Sequence, residues 1–533
     1  MKAFRDSIQD SNFRFKVPSM SGFGSSITDL NGYKRASTSL RELLDPRSMT
    51  SQRDINKSIE APTEPKMDAA NRPRASVADN GAASAAAASH PYFTKALAEL
   101  KGDIVVLGGY RGSVLREAHP PHRRLWVPFK VGLNLRKVDL EVGWDPEDEE
   151  HMEEKIVPDG MLSHIGPVEI SRRLLKRLRA CENAQNGKLR VHEWGYDWRL
   201  SPHLLSRKMK AFLEQLPCNK PGVPVEKSGA IVVAHSLGGL ITRHAVNDRP
   251  ELFAGVVYAG VPQHCVNILG PLRNGDDVLL SSRVLTAQVN FSIRTSFALL
   301  PLEGRCFLNK HTKEQYPVDF FSAETWIDYA LSPCVARPLP TTTQPQRSGV
   351  GGIVSSMASV LPIIGRRGSQ SRSDNASSAI AAAGSSAKEA AGATAGTAES
   401  GAATNTGLAP QMGSNAQSNS QKHDPTSNIS VGTMVTVPRE KAIQYLTRTL
   451  AEVKRFKEEL AFKPELAGAN RYPPVAVIYG KSEPTVYGAK VEGREGIKRS
   501  SAYDELAFAS GDGVVLARAA MVPEGYSVVK GGI

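Results

Sequence analysis

Apolar and polar positions along this 533-residue chain fall into organised and unorganised stretches. Short apolar runs bounded by glycine or polar residues recur at 101–110, 189–191, 229–235, 255–260, 474–480 and 526–529. Each has the length and β-branched content of a buried strand. Between them, apolar residues recur at helical spacing over 167–180, 202–216, 240–248 and 438–462. Strands alternating with helices predict an α/β domain built on a mostly parallel sheet.

Composition divides the chain further. Residues 1–90 and 336–435 are rich in Ser, Ala, Gly and Thr and poor in aromatics. Such segments bury too little apolar surface to offset chain entropy, so both are expected to be disordered. The organisation that follows is a disordered arm (1–90), the first part of the domain (91–335), a low-complexity insertion (336–435) and the second part (436–533). A length that would suggest several domains therefore reduces to one discontinuous domain. An insertion of this size is tolerable because closure entropy grows slowly with loop length.

The bulk properties exclude several classes. Hydrophobic content is 41% and mean hydropathy is −0.28. No apolar run approaches the ~20 residues of a membrane span, and the first residues show no secretory apolar core. Five cysteines, odd in number and without metal spacing, predict a reducing, cytoplasmic setting with no disulfide framework and no zinc site. The net charge of +12 is spread along the chain and forms no basic stripe with interleaved aromatics, so no nucleic-acid partner is expected.

The strongest chemical signal is Ala234-His235-Ser236-Leu237-Gly238-Gly239, which follows a strand and precedes a helix. This is the setting of a nucleophile elbow, with Ala234 where glycine is usual. Ser236 is the expected nucleophile; the bland alternative is a Ser-Leu-Gly-Gly that merely starts a helix. His235, its neighbour, is read as a packing residue that points away from Ser236. One oxyanion donor should be the Leu237 amide. The other should come from the glycine-rich loop 108–113, where Tyr110 sits between glycines. A phosphate-binding reading of that loop fails, because neither a Lys-Ser/Thr ending nor a Gly-x-Gly-x-x-Gly pattern is present.

Four motifs resemble the lecithin:cholesterol acyltransferase family: 104–115; Gly195-Tyr196-Asp197-Trp198-Arg199-Leu200-Ser201-Pro202; His235–Gly239; and Tyr479-Gly480 with Pro484-Thr485, followed by Gly511-Asp512-Gly513-Val514-Val515. The resemblance implies an α/β-hydrolase fold, Ser236 as nucleophile and Asp512 as acid. It implies a lipid O-acyltransferase that moves an acyl group from a phospholipid-like ester to a sterol, glycerolipid or water. A phospholipase A-type hydrolase is one alternative, and an inactive lipid-binding or scaffold relative is another. Tyr196, Asp197 and Arg199 are expected to fix a loop through a buried Asp–Arg pair. Trp198 is a candidate acyl-chain contact. No cofactor or metal is needed for such chemistry.

The family order places a base histidine after the acid. Every one of the twelve histidines precedes Asp512, and the chain stops at Ile533. This reads as a truncated gene model or an inactive relative; His203 and His264 are weaker substitutes, since triads are recognised by geometry rather than order. The acidic run 145–154 reads as a solvated loop. The apolar island 351–367, followed by arginines, suits a peripheral lipid surface, and 34–37 and 366–369 look like basic-directed phosphorylation sites.

Overall fold

A computed structural model describes residues 90–127, 138–165, 168–278, 281–337, 412 and 431–529. The expected arm, the apolar island 351–367 and both candidate phosphorylation sites lie outside these residues. Within the stretch 336–435, expected to be disordered, Met412 is buried in the main core and Val431–Thr433 forms a short 3-10 helix. The backbone amides of Thr436 and Val437 donate to the side-chain oxygen of Gln288.

The organising layer is a five-stranded sheet. Its strands are β1 (Gly102–Leu107), β2 (Leu189–Trp194), β3 (Ala230–His235) and β4 (Phe253–Ala259); a second, mixed sheet contributes β5 (Phe307–Asn309) and β6 (Gln315–Tyr316), and β7 (Val475–Ile478) completes the first. The central order is β7-β4-β3-β1-β2, and every pairing in it is parallel. Ile104, Val105, Val106 and Leu107 are all buried, because β1 lies between β2 and β3 with helices covering both faces. That explains an uninterrupted apolar run where a half-buried strand would alternate.

Helices α1 (Arg172–Ala180), α2 (Pro202–Gln215) and α3 (Leu237–Asp248) flank the sheet, and α4 (Arg439–Glu459) packs against α2 and α3. In α4, Ala442, Leu446, Leu450 and Val453 are buried at helical spacing, and each large apolar side chain so buried contributes about 1.5–3 kcal/mol. The molecule is thus an α/β fold with a parallel central sheet. Among the described residues, no helix is long and apolar enough to cross a membrane.

Three expectations are corrected. Residues 526–529 form no strand: Val528 and Val529 are 74% and 79% exposed. Tyr526 instead packs on Phe462 and Tyr472, with ring centroids 5.0 and 5.3 Å away. A β-branched run without a neighbouring edge has nothing to pair with. The helix expected from 167 begins at Arg172, because Val168–Glu169 pairs antiparallel with His164–Ile165. The acidic run is not a free loop: Pro146–Glu150 is a short helix, and Arg294, Arg207 and Lys208 pair with Glu149, Glu150 and Glu153.

The mixed sheet was not anticipated. It is completed by β8 (Glu483–Val491) and β9 (Leu506–Gly511) in the order β6-β5-β8-β9. The antiparallel β8–β9 pair sets Gly511 opposite Glu483. That pairing returns the chain to the end of β7 just before Asp512.

Candidate active site

Parallel sheets leave a crevice where successive connections run in opposite directions, at the carboxyl ends of the strands. Here β1 connects to β2 on one side, while β3, β4 and β7 lie on the other. The crevice therefore falls between the ends of β1 and β3, where loop 108–113 and Ser236 stand.

Ser236 is held at φ 52° and ψ −127° between β3 and α3. Its own amide donates to the Ala259 carbonyl at 2.9 Å, which anchors the turn to β4. A non-glycine residue in this region costs about 1–3 kcal/mol, strain concentrated at this strand-to-helix turn. Leu237 opens α3, so its amide has no preceding turn to bond. Gly109 abuts the serine: a Cβ there would lie 2.5 Å from Ser236 Cβ and 3.0 Å from Oγ. Only glycine lets the loop backbone approach this closely.

The Tyr-Asp-Trp-Arg segment builds that loop. The Tyr196 hydroxyl donates to the Gly108 carbonyl at 2.9 Å, and the Ser113 hydroxyl accepts from the Tyr196 amide at 3.1 Å. Trp198 Nε1 donates to the Ser113 carbonyl. Arg199 grips Asp197 through Nε and Nη2 at 2.8 and 2.6 Å, and both side chains are almost completely buried. Trp198 is fully buried, edge-on to Tyr110 and Trp126 at 5.8 and 5.3 Å. It is not on the cavity wall, which corrects the expected acyl-chain contact: it stands behind Tyr110 and supports it. The Tyr110 hydroxyl shares a hydrogen bond with Ser296 Oγ at 2.8 Å, and burial pushes its pKa up.

Asp512 follows β9. Its Oδ1 accepts from the Val514 and Val515 amides at 2.9 and 2.6 Å, while the Gly513 amide donates to Thr485 Oγ1. Oδ2 faces Gly260 at the end of β4, 3.3 Å from where a Cβ would stand. Gly260 has φ 55°, so it satisfies both the turn and the space. Ser236 and Asp512 line one cavity of about 520 Å³, together with Gly109, Tyr110 and apolar side chains such as Leu174 and Val515.

His235 is not a packing residue. It is exposed and lines the same cavity. Enclosure by the cavity walls lowers its pKa, and the Asp512 charge partly opposes that shift. The packing reading rests on its place beside Ser236; along β3, Ala230, Val232 and Ala234 are buried, and His235 falls with Ile231 and Val233 on the more open face. Among the described residues, no histidine hydrogen-bonds to Ser236 or Asp512. His203 is committed elsewhere, to Glu459 at 2.7 Å. His264 is half-buried, with Nε2 unpartnered, and it is not among the cavity-lining residues.

Sequence reasoning missed Lys457. It is buried on α4, and its Nζ donates to the carbonyls of Gln263 and Ala298 at 2.9 and 2.8 Å. It thereby ties the segment after β4 to the wall that carries Leu299. Burial brings its pKa down to about 7. A lysine on the apolar face of a long helix was the available signal.

No family model matches the chain. An uncharacterized protein of Saccharomyces cerevisiae, YJR098C, is 38% identical over 429 residues, covering 78% of this chain and 56% of that protein. The chain thus spans about half the length of this curated relative. Among solved structures, the crystal structure of the Tle4–Tli4 complex is similar at a TM-score of 0.30 and 14% identity, covering 67% of this chain and 71% of that one.

Proposed function

We propose that the chain has an α/β-hydrolase fold and carries a serine acyl-transfer site for lipid esters. The observation that carries this reading is Ser236 at positive φ on a strand-to-helix turn, with the backbone of loop 108–113 pressed against it and an apolar-walled cavity in front. Ser236 Oγ attacks the ester carbonyl and passes its proton to water or an added base such as imidazole, which later returns it to the leaving oxygen. The Leu237 and Tyr110 amides receive the oxyanion, and each such donor is worth roughly 2.7–4 kcal/mol. Collapse expels the lyso-lipid or alcohol, which takes a proton, and leaves an acyl-serine. An acceptor alcohol or water then releases the acyl group, so O-acyltransferase and phospholipase activities share this intermediate.

Asp512 is the group that would orient a base. Among the described residues, no histidine hydrogen-bonds to Asp512, whose Oδ1 is held by the Val514 and Val515 amides. A serine without its base keeps binding and oxyanion stabilisation but loses several powers of ten in rate. A second reading, a lipid-binding relative without turnover, is favoured by the same fact.

Release of fatty acid from phosphatidylcholine vesicles, with and without added imidazole, separates the two. The enzyme reading predicts slow release by the full chain and none by Ser236→Ala. It also predicts acceleration by imidazole of roughly ten-fold or more, absent in Asp512→Asn. Equal release by Ser236→Ala contradicts it. Tight lipid binding with no release, even with imidazole, supports the second reading.

A further inference from the structure

On the opposite face of α3 from the sheet, three helices bring two imidazoles and a carboxylate together. His203 stands in the first turn of α2, His244 in the penultimate turn of α3 and Glu459 at the end of α4. His203 Nε2 and His244 Nε2 both approach Glu459 Oε2, at 2.7 and 2.9 Å, and the three ligand atoms lie within 4.8 Å of one another. We propose that His203, His244 and Glu459 form a site for a divalent transition-metal ion of the zinc class, with a fourth position open to water.

The chemistry of the donors fits. Two imidazole nitrogens and one carboxylate oxygen are a recurrent zinc set, whereas calcium and magnesium prefer oxygen alone. In a tetrahedral site with bonds of about 2.0–2.1 Å, donor atoms stand roughly 3.3 Å apart. The two histidine–glutamate contacts must therefore open by about half an ångström, while the two imidazole nitrogens, within 4.8 Å of each other, adjust toward the same spacing. Glu459 can supply that movement, since its side chain is 42% exposed and its other oxygen is only loosely engaged by Arg455 at 3.8 Å.

The surroundings have the order of a built site. His244 Nδ1 is 2.8 Å from Ser206 Oγ, and Ser206 is fully buried. That hydroxyl can accept from Nδ1–H, leaving the Nε2 lone pair for a metal, as the outer partners of ligating histidines do. Phe456 stacks on His244 at 5.0 Å and stands edge-on to His203 at 5.3 Å. It forms an apolar back wall. Asn247 Nδ2 donates to the carbonyls of Glu459 and Ala461, both at 2.9 Å, fixing the end of α4 against the end of α3. The ligands are 41 and 215 residues apart in sequence, so no local spacing signalled them.

Such an ion would bind α4 to α3, the helix that begins beside the nucleophile. The test uses the untagged full chain, stripped with EDTA and dialysed, then titrated with Co²⁺ by visible absorption and with Zn²⁺ by calorimetry. The proposal predicts one four-coordinate cobalt site per chain and a zinc-dependent rise in melting temperature that Mg²⁺ and Ca²⁺ do not reproduce. His203→Asn and Glu459→Gln should each abolish both effects. Ser206→Ala should weaken metal binding roughly 10–100-fold. His203 is partly exposed, so His203→Asn should keep the metal-free circular dichroism of the wild type and remain informative if His244 variants misfold. Cobalt binding by His203→Asn and Glu459→Gln as tight as by the wild type overturns the site, and so does a wild type that takes up neither metal.

Discussion

At the scale of single residues, the site is defined by close approach and strain. Ser236 occupies a backbone region that glycine adopts freely, so Ser236→Gly should stabilise the fold by about 1 kcal/mol while eliminating acyl transfer. Denaturant midpoints and ester turnover measured together check this; a stability loss on removing the side chain would contradict the strain. Gly109→Ala makes the opposite prediction for geometry. Its Cβ would stand 2.5 Å from Ser236 Cβ, so the loop must move and misplace the proposed oxyanion donor. A loss of roughly 10²–10³ in turnover is expected, and unchanged kinetics would remove the loop from the mechanism.

At the scale of elements, what the sequence made legible follows from how local each signal is. Five strands were readable because each is a compact apolar run whose burial on both faces requires no knowledge of its partners. The elbow was readable because strand, small residues and helix are contiguous. The Asp197–Arg199 pair was readable because two opposite charges flank a tryptophan within one short segment. The mixed sheet was not: β5 and β6 are two or three residues long, and β8 is broken by a bulge near Val486. Their pairing depends on surfaces that form only in the folded molecule. Residues 526–529 show the converse, strand-like sequence without an edge to join. His235 was misread because its place beside Ser236 is a poor guide, whereas the period-two pattern of β3 sets it on the open face with Ile231 and Val233. For the Tyr-Asp-Trp-Arg segment, Arg199→Met leaves Asp197 charged and buried. It should cost about 3–5 kcal/mol in urea denaturation, and Asp197→Asn in the same chain should return part of that loss.

At the scale of the whole molecule, segments far apart in sequence complete one core. Strand β7, helix α4 and Asp512 all come from beyond residue 430, yet they stand against β4 and α3. At the amino-terminal end of β1, Asp103 joins the sheet to its surroundings. It receives Arg190 at 2.7 and 2.8 Å, His192 at 2.8 Å and the Cys218 amide at 2.9 Å. Burial alone would raise its pKa, but the Arg190, His192 and Cys218 hydrogen bonds outweigh it and hold the carboxyl far below its ordinary 3.8. A depressed carboxylate contributes stability that is complete above the unfolded value and lost as pH falls below it. Wild type should therefore lose stability steeply below about pH 4. Asp103→Asn should be less stable at neutral pH and show a shallower acid loss; parallel pH profiles would contradict this. The central claim, that this fold presents an acylatable serine, is tested most directly by fluorophosphonate labelling of the full chain followed by mass spectrometry of its peptides. One phosphonyl adduct on Ser236, absent from Ser236→Ala, is the predicted result. Labelling that persists in Ser236→Ala, or a folded wild type that takes no label even with imidazole present, would contradict it.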